Sequence, residues 1–214
     1  LLEKSAGGIG KLVMPDEAFI RTDQYVQKNG GKLFIGSRYG ITDYATATAN
    51  PGNIRRLTDV AILNYDWNSL GLNNFAYIGA STDNVQNTGP ALPNKIASLE
   101  INYNRSAAGR YVDLTNNADL IVTDSIIFKN GRFRNRDGNR TITLYGDIVN
   151  YSGDVGFHNQ TNPSNRTLFL SDTLNQKIRG TASETRFPQT VRINKTKGTL
   201  TGDRKSTRLN SSHG

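Results

Sequence analysis

Arg132, Arg134 and Arg136 alternate with Phe133 and Asn135, and Arg140 follows closely. In a strand this spacing puts the three arginines on one face and Phe133 on the other. A row of guanidinium groups can grip carboxylates or sulfates bidentately, so the cluster is a candidate site for an anionic glycan. The same row also suits a solvated outer face that keeps a sheet edge soluble. Carboxylates occur at Asp113, Asp119, Asp124, Asp147 and Asp154. A β-helical lyase or hydrolase would gather several of these on one face to hold calcium and add a basic residue. The acidic spacing of a calcium loop is missing, because Arg136 to Asn139 supplies one carboxylate, so these aspartates read as turn formers. No catalytic residue, metal ligand or cofactor is expected.

The other candidates are weaker. Ser5 to Lys11 has the glycine content of a phosphate loop, but Ser5 stands at the first glycine position and Leu12 replaces the hydroxyl residue. It reads as a Gly-rich entry turn. Tyr65 and Trp67 form an aromatic pair able to stack on a sugar ring or to cap a loop. The chain has no cysteine and only two histidines, His158 and His213. Disulfides and thiolate metal sites are excluded, and histidine-dependent hydrolysis is disfavoured. The Asn-x-Ser/Thr sequons at Asn104, Asn139, Asn159, Asn165 and Asn194 are what an Asn- and Thr-rich chain produces by chance.

The elements that must position these residues are short strands. Apolar residues alternate at Leu99 and Ile101, Leu120 and Val122, Ile142 and Leu144, Leu168 and Leu170, and Val191 and Ile193. Asn102, Asn130, Asn150 and Asn194 close such runs, and Asn makes corners cheaply because it bonds its own backbone and tolerates positive φ. No stretch carries a helical stripe. Strand-and-corner units recur about every ten to twenty-five residues, which indicates a repeat architecture. Residues 77–115 can be laid beside 168–202. Gln86 then falls near Gln176, Gly89 near Gly180, and Leu99–Asn102 on Val191–Asn194, with Pro93 and Pro188 ahead of the last strands. The expected fold is an all-β solenoid, a right-handed parallel β-helix, with tandem β-sandwich modules as the alternative.

Two further resemblances bear on this reading. Asp203 to His213 matches the translation of a common sequencing-library adapter. The expectation is therefore a solenoid fragment over 1–202, truncated at both ends, followed by a non-native, disordered tail over 203–214. Setting aside Asp203, Arg204, Lys205 and Arg208 lowers the formal net charge from +8 to about +6. The basic residues are thinly spread, so nucleic acid is not expected as a partner. No apolar run reaches the length of a membrane helix.

Residues 35–42 (IGSRYGIT), 52–55 (GNIR) and 75–102 resemble a repeat of very large surface proteins from Gram-negative bacteria that use type IX secretion. The pieces QNTGPALP (86–93) and INKTKG (193–198) are the most characteristic. Residues 118–150 and 186–202 resemble the rungs that follow in that family, and the likeness covers most of 11–202. The chain departs from the pattern after Ile54, where a longer polar stretch suggests an insertion. The resemblance implies an exported, repetitive β protein at the cell surface or outside the cell, adhesive or structural and not enzymatic. Its partner would be a polysaccharide or a cell surface, and its oligomeric state is left open. A carbohydrate-active β-helix acting on acidic glycans is the alternative, and a passive stalk or spacer the second.

Overall fold

The computed structural model describes residues 11–15, 20–22, 31–42, 52, 54–56, 73–79, 84–103, 110–115, 119–135, 140–151, 156–157, 167–171, 175–181, 190–195 and 199–202. These residues are all strand, turn or connection. Every pairing among them is parallel, and the strands form sheets of eleven, four and three members. The chain is an all-β, parallel β-solenoid. Antiparallel sandwich modules, the alternative, would pair neighbouring strands through short hairpins, whereas here each strand pairs with its counterpart one turn later.

Three stacks organise the coil. The longest runs through β1 (Lys11–Met14), β3 (Lys32–Ile35), β6 (Asn74–Tyr77) and the second half of β8 (Lys95–Asn102). It continues through the second half of β10 (Leu120–Asn130), β13 (Asp147–Asn150), β16 (Gln176–Gly180) and β18 (Leu200–Gly202). A second stack joins the first halves of β8 and β10 to β12 (Thr141–Leu144), β15 (Thr167–Ser171) and β17 (Thr190–Asn194). The third comprises β7 (Val85–Asn87), β9 (Tyr111–Asp113), β11 (Arg132–Arg134) and β14 (Gly156–Phe157). The first two stacks are fused in the long strands β8 and β10 and separate at the corner between β12 and β13.

Alternation turns each stack into columns. In register, Leu12, Leu33, Phe75, Leu99, Ile126, Ile148 and Ile178 line the interior. From Leu33 to Ile178 these are at most 2% exposed. Burying each such side chain stabilises the coil by about 1.5–3 kcal/mol. Phe128, Phe133 and Phe157 close the interior against the third stack; Phe128 and Phe157 meet edge-on with ring centroids 5.2 Å apart. Tyr77 is also inside, and its hydroxyl donates to the Thr88 carbonyl at 2.9 Å.

Corners are pinned by side chains that reach the neighbouring turn. Gln86 donates through Nε2 to the carbonyls of Ile35 and Ser37, and its Oε1 accepts from the Gly79 amide. Gln176 repeats this, donating to the carbonyls of Leu144 and Gly146. The two glutamines that the internal alignment superposed thus occupy the same kind of corner, but not the same side of the coil. Gln86 lies in the third stack and Gln176 in the first; Leu99–Asn102 lies in the first and Val191–Asn194 in the second. The two copies share local chemistry and are offset by one side.

The insertion expected after Ile54 falls mostly on residues outside the described set, and Ile54–Arg56 belong to the smallest sheet. There β5 (Ile54–Arg56) lies between β2 (Ile20–Thr22) and β4 (Ile41–Thr42), out of chain order. The residues that follow, 57–72, lie outside the described set, as do Tyr65 and Trp67.

Candidate functional site

The third stack carries the arginine row. Its inner column is Gln86, Val112, Phe133 and Phe157, and its outer columns are Val85, Tyr111 and Arg132, and Asn87, Asp113 and Arg134. The alternation therefore sends Phe133 inward and Arg132 and Arg134 outward. Arg132 and Arg134 are half-buried rather than solvated.

Arg134 is engaged. Its Nε and Nη2 donate to the two carboxylate oxygens of Asp113 at 2.5 and 2.6 Å, and its guanidinium lies 4.1 Å from the Tyr111 ring centroid. Asp113 has no solvent exposure. The fork that would have gripped a ligand carboxylate already holds one from the adjacent turn. Arg140 donates to the Leu114 carbonyl at 3.1 Å, and its own carbonyl accepts from the Asn135 amide group. Arg136 lies outside the described residues, so the structure places Arg132, Arg134 and Arg140 only.

Of the aspartates expected to be turn formers, Asp119 lies between strands, whereas Asp113, Asp124 and Asp147 lie within β9, β10 and β13. Asp119 accepts from the Thr141 amide at 2.7 Å. Asp147 accepts from the Lys177 amide and from Arg179 Nε, both at 2.9 Å. Asp124 accepts locally from the Ser125 hydroxyl at 3.4 Å. Asp154 and His158 fall outside the described residues, as do Ser5 to Gly10. Among the described residues no three His, Cys, Asp or Glu side chains are grouped to hold a metal ion.

One charged cluster was missed by sequence reasoning. Glu100, on the outer face of β8, is 1% exposed and is held by Lys32 Nζ at one carboxylate oxygen and by Lys129 Nζ, 3.0 Å from the other. Lys32 also lies over the Phe34 ring at 5.3 Å. The outer column here reads Val13, Phe34, Ala76, Glu100, Ile127, Val149 and Arg179, so the carboxylate has an apolar residue on either side of it. Alternation could have flagged Glu100 as outward-facing. Its lysines come from other turns and no local spacing reveals them.

Burial by itself would raise the Glu100 pKa, but hydrogen bonds and charge from Lys32 and Lys129 outweigh it and hold the carboxyl below its ordinary value. A lowered folded pKa means that this group stabilises the fold above the ordinary glutamate pKa of about 4.3, and that the contribution is lost as pH falls through the folded value. Urea unfolding from about pH 5 down to about pH 2 should therefore show a steeper loss of stability in the native chain than in Glu100→Gln. Parallel pH profiles would exclude this role.

The fold and these contacts define the class: a parallel β-solenoid whose described acidic groups serve mainly to join its turns. Compared with protein families, with curated proteins and with solved structures, the chain finds no match.

Proposed function

We propose that this chain is part of a non-enzymatic, exported repeat protein of the cell surface or extracellular space, acting as an adhesive or structural element through its extended outer faces. The observation that carries this reading is where the described carboxylates are used. Glu100, Asp113, Asp119 and Asp147 each bond to a neighbouring turn, so they are committed to stacking and do not converge as acid and base around a cleft. The resemblance of the QNTGPALP and INKTKG segments to repeats of type IX-secreted surface proteins supports the exported location.

Within this reading the ligand class is an acidic polysaccharide, met by the outer face of the third stack that carries Arg132, with Arg136 and Arg140 close to it in sequence. The test is retention of the purified chain on immobilised neutral, sulfated and uronate polysaccharides, with assay of the same polymers for cleavage. Retention on the acidic polymers that weakens with added salt and with Arg132→Gln, without cleavage, is the expected result. Cleavage of any of them would replace this reading with that of a carbohydrate-active β-helix, and absence of both would leave a passive spacer.

A further inference from the structure

Lys32, Asn74 and Ser98 stand side by side on the outer face of the longest stack, one each from β3, β6 and β8. Leu33, Phe75 and Leu99, the next residue of each strand, line the interior and are fully buried. The three outward side chains therefore share one column, and neighbouring strands lie about 4.8 Å apart. The Lys32 side chain is only 15% exposed. Its Nζ donates to Glu100, which stands two residues past Ser98 and is itself 1% exposed. To reach β8 from β3, the Lys32 side chain has to cross β6, the strand that carries Asn74 and the fully buried Ala76. The Asn74 side-chain oxygen accepts a 2.5 Å hydrogen bond from the Ser98 hydroxyl.

We infer that Lys32 and Asn74 are the partners of an intramolecular amide bond, formed by the folded chain itself with Glu100 as proton carrier. Each part of the reaction has a residue in place. A lysine amine becomes a nucleophile when a base takes its proton in a site shielded from water. Glu100 is that base, with Ala76 and Ile127 on either side of it and the Phe34 ring under the lysine. The Ser98 hydroxyl already donates to the amide oxygen on which negative charge develops during attack. The bond from Lys32 Nζ to Asn74 Cγ forms, and the bond from Cγ to Nδ2 breaks. Two protons leave the Lys32 ammonium and pass by way of Glu100 to the departing nitrogen, which leaves as ammonium. The exchange is redox-neutral. Lys129 stays on the other Glu100 oxygen, so the carboxylate keeps a cation afterwards. The product ties β3 to β6 and restricts the unfolded chain as a disulfide does, in a sequence without cysteine. It is a single self-modification without a substrate, and it does not rest on the adhesive reading of the outer faces.

Intact-mass spectrometry of the purified full chain, followed by tryptic mapping, tests it. The native chain should weigh one ammonia less than its sequence and yield a peptide in which Lys32 is joined to Asn74. Lys32→Arg keeps a cation beside Glu100 but removes the amine, and should show the full sequence mass. Asn74→Ala and Glu100→Gln should show it too, with circular dichroism confirming that the strands persist. If Glu100→Gln fails to fold, Lys32→Arg, which retains the ion pair, carries the test alone. The full sequence mass in the native chain would overturn the inference. So would a loss of ammonia that persists in Lys32→Arg, because an asparagine closing on its own backbone as a succinimide needs no lysine.

Discussion

Arg134→Ala should destabilise this chain by about 3–5 kcal/mol, the range seen when one partner of a buried ion pair is removed. Asp113 is fully buried and both its oxygens accept from the one guanidinium, whose side chain is 12% exposed. Truncation takes the bidentate partner from a carboxylate shut away from water, and also removes the contact over Tyr111. Much of the loss is therefore the cost of weakening the compensation of a buried charge. Asp113→Asn combined with Arg134→Gln should recover most of the stability, because no buried charge then remains. Urea midpoints of the native chain, the single variant and the double variant measure this directly. A cost below about 1 kcal/mol for Arg134→Ala would mean that the pair behaves as a solvated surface bridge. The result also governs how binding data are read, since loss of glycan retention in Arg134→Ala has to be separated from loss of the fold.

Gly146→Ala should be at least as damaging, about 3 kcal/mol or more and at or beyond the upper end of overpacking costs. Gly146 lies at the corner between β12 and β13, where the fused stacks part. A Cβ there would stand 1.3 Å from the carbonyl oxygen of Asp124 in the turn before, and 2.3 Å from its carbonyl carbon. Both are backbone atoms, so no rotamer change relieves the overlap and the two turns must separate. That separation would also disturb the Gly146 carbonyl that accepts from Gln176. Thr143→Ala, in the adjacent strand at a half-buried outward position, is the control and should cost less than about 1 kcal/mol. Thermal unfolding of the two variants checks the contrast, and equal melting temperatures would show that the corner is looser than its geometry implies.

The largest energetic consequences thus fall on contacts between turns, and these divide in how readable they are from the chain. Phe133 inward with Arg132 and Arg134 outward followed from alternation, which is local. Asp119 was recognisable as lying between strands and Asp147 was not recognisable as opening β13, and the partners of both, the amides of Thr141 and Lys177, were not legible. Glu100 lies 68 residues from Lys32, and nothing near either residue announces the other.

The sequence by itself indicated short alternating strands, Asn and Gly corners and an all-β repeat fold, with a solenoid preferred to sandwich modules. Each rests on period-2 alternation and turn chemistry within a few residues. Only the tertiary structure decided which residues stack. Successive turns differ in length, so the column a side chain joins depends on the summed lengths of its corners and not on any period in the chain. That is why Gln86 and Gln176, matched in sequence and in chemistry, stand on different sides of the coil. It is also why Arg134, which reads in sequence as part of a ligand-binding row, is already engaged by Asp113.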